Sequence, residues 1–198
     1  MTIFSEDQYY TQQFKQLVYL EQNISNLIFE ECLFEGCDFS GSSFENCSFI
    51  ECDFSRCNLS LVSFKGTRFS ETVFKDCKLL GIDWTRANWP SIALDALVAF
   101  EKSVLNDGSF FGLTLQRLKI KACRCMDVDF TDGDFKQANF SDSDFSGSTF
   151  SRTNLEQADF SEAQNCHINI TNNQLKGAKF SAHQAVNLLS NLGIELVD

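Results

Sequence analysis

Large apolar residues recur at every fifth position through most of the chain. A second series begins at Phe100 and continues to Phe180, with Cys125 and Asn165 as its exceptions. A period of five matches neither the 3.6-residue period of a helix nor the two-residue alternation of a strand. The pattern therefore predicts a repeat architecture. The first series has no gap and consists of Phe29, Phe34, Phe39, Phe44, Phe49, Phe54, Leu59, Phe64, Phe69, Phe74, Leu79 and Trp84.

A small residue stands two positions before most of the large ones. The residue just before the large one is often Asp or Asn, and the two residues after it are mostly polar. One large and one small residue of each unit are therefore predicted to point inward, and the other three to face solvent or form turns. The small positions hold Cys32, Cys37, Ser42, Cys47, Cys52, Cys57 and, later, Ala138, Ser143, Ser148, Thr153, Ala158 and Ala163.

This motif resembles that of the pentapeptide-repeat family over about residues 25–180. The resemblance implies an all-β fold, a right-handed quadrilateral β-helix in which four five-residue units form one coil. Large residues 20 apart, such as Phe29, Phe49 and Phe69, would then stack in a column. At a strand-like spacing of ~4.8 Å, roughly eight coils would make a rod of about 37 Å.

The two ends of such a rod need caps, because each coil buries its inward residues only against its neighbours. Residues 1–24 fit the repeat poorly and are predicted to be the N-terminal cap. Residues 181–198 are predicted to form a short helix, with Ser181 as its N-cap, and a tail. The helix is apolar on more than one face, which favours a symmetric dimer over a monomeric cap. The predicted interface consists of Val186, Leu188, Leu189, Leu192, Ile194 and Leu196.

The repeat changes phase at about residues 90–99, because Trp89 and Phe100 are eleven residues apart. This segment begins with the only proline, Pro90, which lacks a backbone donor for the ladder between coils. Two interpretations are open. The segment is either an insertion whose Ile92, Leu94 and Leu97 fold back onto the rod, or a loop that contacts a partner. The predicted contact residues are Trp89, Pro90, Ser91, Ile92, Leu94 and Asp95.

Charge narrows the choice of partner. The net charge of −11 argues against direct binding of nucleic acid, which needs clustered Lys and Arg. Residues 127–162 carry nine acidic and two basic residues, a net charge of −7. Many of these acids are the motif's own Asp, so a solvated surface required by the fold competes with a functional one. The predicted acidic surface consists of Asp127, Asp129, Asp132, Asp134, Asp142, Asp144 and Asp159.

One basic cluster lies upstream of the acidic region. Its members are predicted to balance charge across the rod and not to recognise nucleic acid. They are Arg117, Lys119, Lys121 and Arg124.

The nine cysteines are predicted to be reduced thiols in the core. Seven of them occupy the small inward position, and Cys37, Cys57 and Cys77 are spaced 20 apart. Zinc is the alternative, but stacked residues do not converge on one point as tetrahedral ligation requires.

The sequence shows no set of residues in a catalytic arrangement. A filled coil offers no substrate pocket, so the sequence predicts neither an enzyme nor a metal or cofactor site. The polar, acidic start of the chain and the lack of a long apolar run predict a cytoplasmic protein without membrane contact.

Several short segments resemble one branch of the family, the topoisomerase-poison resistance proteins. They are Cys57–Leu61, Leu80–Trp84, Trp89–Ser91, Leu105–Asp107, Phe111–Leu113 and Leu192–Leu196. The branch includes Qnr-type quinolone-resistance proteins, the microcin immunity protein and, most similar of all, the albicidin self-resistance protein.

This resemblance implies a homodimeric rod that is joined through its C-terminal ends. Such a rod binds DNA gyrase, with topoisomerase IV as a second target, and protects it from a poison by mimicking the shape and charge of duplex DNA. The chain departs from the Qnr-type pattern because it lacks two long loops. The alternative function is a general scaffold or adaptor with an unrelated protein partner.

Overall fold

The computed structural model describes residues 4–91, 95–189 and 192, and its strands are two to four residues long. A 3₁₀ turn at Trp84–Arg86 and a helix, α1 (Ala182–Leu189), are the other elements. The strands are β1 (Gln8–Tyr10), β2 (Gln13–Lys15), β3 (Asn23–Ser25), β4 (Ile28–Glu30), β5 (Leu33–Glu35), β6 (Ser43–Glu45), β7 (Ser48–Ile50), β8 (Asp53–Ser55), β9 (Arg68–Ser70), β10 (Thr72–Lys75), β11 (Val98–Glu101), β12 (Lys119–Lys121), β13 (Asp159–Phe160) and β14 (Lys179–Phe180).

The chain winds into a parallel β-solenoid of about eight turns, as the repeat predicts. We number its four sides 1 to 4, after the buried residues Phe29, Phe34, Phe39 and Phe44 that successive units contribute. Side 1 contains β1, β4, β7 and β9, and side 2 contains β2, β5, β8, β10, β11 and β12. Side 4 begins with β3 and β6, whereas side 3 is held by single parallel bridges.

The core is a set of stacked side chains, because residues one coil apart are paired in register. Phe29 lies parallel to Phe49 with 5.1 Å between ring centroids, and Phe49 stacks on Phe69 at 5.8 Å. Rings on neighbouring sides meet edge to face, as Phe29 and Phe34 do at an interplanar angle of 73°. The predicted columns are therefore confirmed. Offset-stacked and edge-to-face contacts are the favourable arrangements of aromatic pairs.

The corners of the coil require a left-handed backbone. The second residue after most large residues has a positive φ, as in Glu31 at 52° and Asp127 at 55°. This conformation is costly for most side chains and easiest for Gly, Asn and Asp. It explains why the last positions of the motif are polar or glycine and seldom β-branched.

The strand ladder begins earlier than the predicted boundary at residue 25. Gln8 pairs with Ile28 and Phe14 pairs with Phe34, so a first coil lies within the segment that was predicted to be a cap. Phe4 covers its open end, because its ring contacts Tyr9 and Phe14 edge to face at 5.7 and 5.5 Å. This coil was not predicted because Gln12, Leu17 and Gln22 stand where other units have a small residue.

The two exceptions to the large series differ in structure. Cys125 is completely buried at the large position, where its thiol replaces a ring. Asn165 is exposed with a φ of 54°, and Cys166 enters the core in its place. Ile168 is then buried and Ile170 only partly so, so the last coil departs from the five-residue phase.

Candidate functional site

The phase change is an insertion between sides 1 and 2. Strand β10 pairs with β11 so that Phe74 lies beside Phe100, 26 residues later instead of 20. The six extra residues therefore enter one coil without disturbing the ladder on either side of it. Pro90, Ser91 and Asp95 are exposed. Ile92 and Leu94, two of the predicted contact residues, lie outside the described residues.

Trp89 is part of the wall from which this insertion departs. Its ring stacks on Phe69 with 5.5 Å between centroids, and its Nε1 donates a hydrogen bond to the carbonyl of Trp84 at 2.8 Å. Trp84 itself is completely buried and stacks between Phe64 and Phe110 at 5.4 and 5.7 Å. Among the described residues of the predicted contact loop, Pro90, Ser91 and Asp95 are therefore exposed, and Trp89 forms the base.

The seven residues of the predicted acidic surface are distributed over all four sides. Successive five-residue units turn from one side to the next, so Asp159 lies on side 2, Asp144 on side 3, Asp129 on side 4 and Asp134 on side 1. The remaining three, Asp127, Asp132 and Asp142, are exposed at corners. Acids that are close in sequence therefore surround the rod with negative charge and do not form one acidic patch.

The motif's own aspartates have a structural task. Within residues 127–162, the carboxylate of each accepts a hydrogen bond from the backbone N–H two residues later, as Asp129 does from Thr131 at 2.9 Å and Asp144 from Ser146 at 3.0 Å. Burial opposes ionisation of Asp144, but its bonds with Asn165 and Ser146 prevail and lower its pKa. These carboxylates therefore shape the turns as well as contributing charge.

One of the corner aspartates, Asp132, is paired with a cation. Asp132 accepts two hydrogen bonds from Arg152, at 2.6 and 2.9 Å, and this contact lowers the pKa of Asp132. An acidic column that was not predicted from the sequence lies at another corner. Glu31, Glu51 and Glu71 stand 20 apart at the corner between sides 1 and 2, all with positive φ. Their spacing equals one coil and was the signal that could have revealed them.

The C-terminal end combines a covered core with exposed apolar residues. Phe180 stacks on Phe160 at 5.0 Å, and Leu188 of α1 packs against the core. Val186 and Leu192 remain 48% and 46% exposed. Ile194 and Leu196, the rest of the predicted interface apart from the half-buried Leu189, lie outside the described residues.

Ser181 stands at the start of α1 but uses its hydroxyl elsewhere. Its carbonyl accepts the first helical hydrogen bonds, from the N–H groups of Gln184 and Ala185. The hydroxyl accepts from the backbone N–H of Glu162 and donates to its carboxylate, each at 2.8 Å. It therefore joins the helix to the last coils instead of capping its amides.

The thiols are core residues. All nine cysteines are buried and free, and burial raises the pKa of Cys123 and of Cys166 to about 12. The Cys57 sulfur accepts a hydrogen bond from the N–H of Cys37 at 3.4 Å, and Cys77 does the same for Cys57. No three metal-binding side chains converge in the described part of the chain. Over the same residues, no helix is long and apolar enough to cross a bilayer.

Comparisons with known proteins agree with this architecture. A family model described as a pentapeptide repeat region matches residues 27–97 and 82–160, more than half of the chain. No curated protein sequence matches this chain.

The solved structures of QnrB1, described as a plasmid-mediated fluoroquinolone resistance protein, share the fold. One trypsin-treated variant has a TM-score of 0.63 at 20% identity, covering 96% of this chain and 99% of that one. A second gives 0.65 at 19% identity, with coverage of 93% and 100%. Full-length QnrB1 gives 0.56 at 19% identity, with coverage of 94% and 100%. The closer likeness to the albicidin self-resistance protein stays a prediction.

Proposed function

The chain belongs to the pentapeptide-repeat family, and from that premise we propose that it binds DNA gyrase and protects it from a topoisomerase poison. In this role it confers antibiotic resistance or self-immunity as a binding protein and not as an enzyme. The observation that carries the proposal is a likeness of fold that extends over 96% of this chain and 99% of a fluoroquinolone resistance protein. The sequence resemblance supplies the target, DNA gyrase, and topoisomerase IV as a second one.

The proposed mimicry of duplex DNA can be compared with the charge of the rod. A dimer joined through its C-terminal ends would be about 75 Å long at ~4.8 Å per coil. Duplex DNA of that length carries about 44 charges, since it has one charge per ~1.7 Å. Two chains at −11 each carry −22. Half the charge of DNA does not outcompete DNA by electrostatics alone, so shape or a specific contact must add affinity.

The exposed end of α1 is the proposed dimer interface. Val186 of α1 and Leu192, which follows the helix, are both exposed apolar residues. Burying two copies of such a surface would stabilise a two-fold dimer through the hydrophobic effect. The resulting rod would present the acids of residues 127–162 on both sides of its centre.

The inserted segment after Trp89 is the proposed specific contact. It departs from a rigid wall, and irregular segments on rigid scaffolds often carry binding. Replacing residues 92–95 by a glycine-rich stretch should then weaken gyrase binding while the melting temperature stays the same. Full affinity in that variant would show that the segment is only a structural insertion.

A scaffold or adaptor with another protein partner is the second candidate, because the family fold alone does not specify a partner. We propose a cytoplasmic location, because free thiols such as these stay reduced there.

Interferometry with immobilised protein and purified gyrase holoenzyme distinguishes the gyrase-binding function from the adaptor function. The proposal predicts saturable binding that an excess of duplex DNA reduces. Absence of binding, with and without a poison, would favour the adaptor.

A further inference from the structure

The N-terminal end of the rod is an edge of the strand ladder. Among the described residues, β1, β2 and β3 are the outermost strands of their sheets, so each is paired on one side only. Edge strands expose N–H and C=O groups on which another chain can add. A second copy of this chain has the same four-sided outline, so its own first coil matches this end.

Two glutamines of the first coil stand at positions that are small in later coils. Ser42, one coil after Gln22, donates its hydroxyl to the carbonyl of Tyr19 in the coil before it, 2.8 Å away. Gln12 and Gln22 have no earlier coil to reach in the described part of the chain. Their long side chains are exposed and do not enter the core.

The two glutamine amides bond to carbonyls of their own coil instead. Nε2 of Gln12 donates to the carbonyl of Tyr10 at 3.1 Å, and Nε2 of Gln22 donates to that of Leu20 at 2.9 Å. One coil later, the equivalent carbonyl of Glu30 accepts a backbone N–H of the first coil at 3.0 Å. The glutamines therefore occupy the acceptors that a preceding coil would use on sides 1 and 3.

Phe4 closes the centre of the same end. Its ring is 8% exposed and contacts Tyr9, Phe14 and Tyr19, on three sides of the first coil, at 5.7, 5.5 and 5.7 Å. A second copy stacked at the strand spacing of ~4.8 Å would have to place its own core rings where Phe4 lies. The ring therefore excludes another coil from the axis of the rod.

We propose that this end is a latent interface for a second copy of the chain, which Phe4, Gln12 and Gln22 keep closed. A rod that dimerises through its C-terminal end would grow into an open filament if its other end also paired. The closed end therefore limits the assembly to two chains. The filament rests on the proposed C-terminal dimer, whereas closure of the end depends neither on that dimer nor on gyrase binding.

The surroundings of the end make this closure necessary. Tyr10, Val18 and Leu20 are exposed apolar residues of the first coil, and burying them would favour pairing of two ends. Charge opposes pairing only weakly, because charges more than about 8 Å apart are largely screened at physiological salt. Residues 4–25 carry three acids and one base, a net charge of −2, from Glu6, Asp7, Glu21 and Lys15.

The test is analytical ultracentrifugation of the full chain and of F4S/Q12S/Q22S, which removes the Phe4 ring and gives the first coil the small residues of later coils. The matched control, F4S/Q8S/Q13S, also loses Phe4 and two exposed glutamines but keeps the amides of Gln12 and Gln22. We expect the control to keep the wild-type mass. The opened variant should form species at least about twofold heavier than wild type, with a mass that rises with concentration.

The same substitutions in a V186K/L192K background provide the second arm. Pairing through the C-terminal end is removed there, so the opened variant should stop at two chains. If the C-terminal dimer is wrong, the opened variant stops at two chains in both backgrounds, and the closed end is still supported. Failure of the dimer and failure of the closed end therefore give different results.

Three results would overturn the proposal. One is a folded opened variant with the wild-type mass. A second is equal growth of the control, which would reflect only the loss of Phe4. The third is unlimited growth in the V186K/L192K background, which would be non-specific aggregation. Circular dichroism checks the fold.

A milder pair of variants applies if the opened variant does not fold. Q12S/Q22S keeps Phe4 and its ring contacts, and Q8S/Q13S is its control. We expect Q12S/Q22S to self-associate at least about tenfold more strongly than the control, because two acceptors are freed on each copy. Equal self-association of the two would overturn the proposal.

Discussion

The indole Nε1 of Trp89 donates a hydrogen bond to the backbone carbonyl of Trp84, 2.8 Å away. Trp89 is 20 residues after Phe69 and stacks on it, so it is the last residue of its side before the insertion. The bond fixes the point at which the chain leaves the regular coil. Trp89 therefore links the core to the proposed contact segment.

Substitution of Trp89 should separate the bond from the stacking. In W89F the ring still stacks but the hydrogen bond is lost, at a cost of about 1 kcal/mol. In W89A both are lost, at a cost of about 3 kcal/mol because the ring is partly buried. Urea unfolding of the two variants measures the difference. Equal stability of W89A and wild type would mean that Trp89 has no structural role.

Trp84 presents the opposite case, because its buried Nε1 has no hydrogen-bond partner in the described structure. Phe occupies the same column above and below it. The substitution W84F removes the unsatisfied donor, which stabilises the fold by about 1–3 kcal/mol. It also leaves a small void, which destabilises the fold by a similar amount. We expect its free energy of unfolding to lie within about 1 kcal/mol of wild type, against a loss of about 3–5 kcal/mol for W84A. A loss in W84F as large as in W84A would contradict this account.

The positions of these two tryptophans show what the sequence could and could not reveal. Regular spacing predicted the columns, the buried thiols and the interior position of Trp84, because a fixed period leaves one choice of inward residue. Trp89 was assigned to a loop because the phase breaks after it, although its distance from Phe69 equals one coil.

Surface clusters were harder to predict, because each five-residue unit turns to another side. Asp129 and Asp134 are close in sequence and lie on different sides, whereas Lys75 and Lys121 are distant and lie two coils apart on one side.

Burial of the thiols predicts a loss of stability at alkaline pH. The pKa of Cys123 is raised from 9.0 to about 12 by burial, so the unfolded chain ionises this thiol first. The contribution of the protonated Cys123 thiol to the free energy of unfolding is complete below about pH 9. It is lost as the pH rises towards 12, by up to about 1.4 kcal/mol per pH unit.

C123S is the matched variant, since Ser103 and Ser143 occupy the same column on either side. Urea unfolding at about pH 7.5 and about pH 10 should show a smaller alkaline loss for C123S than for wild type. Identical pH profiles would show that Cys123 does not ionise on unfolding in this range.

The dimer assignment predicts a change in mass when the C-terminal segment is removed. A chain ending at Phe180 keeps the last aromatic stack, on Phe160, but lacks α1 and its exposed apolar residues. Light scattering should give a dimer for wild type and a monomer for the truncated chain. The double variant V186K/L192K should also be monomeric, whereas H183K, at another exposed position of α1, should stay dimeric. A truncated chain that remains dimeric would place the interface elsewhere.

The central claim is protection of gyrase, and it is tested most directly by DNA cleavage. Purified gyrase is incubated with supercoiled plasmid and a poison, either an albicidin-like compound or a quinolone, and the protein is titrated in. The account predicts that linear, cleaved DNA decreases and that supercoiling recovers at protein concentrations that do not inhibit gyrase alone. Cleavage that stays constant with both poisons, in the presence of folded dimer, would contradict it.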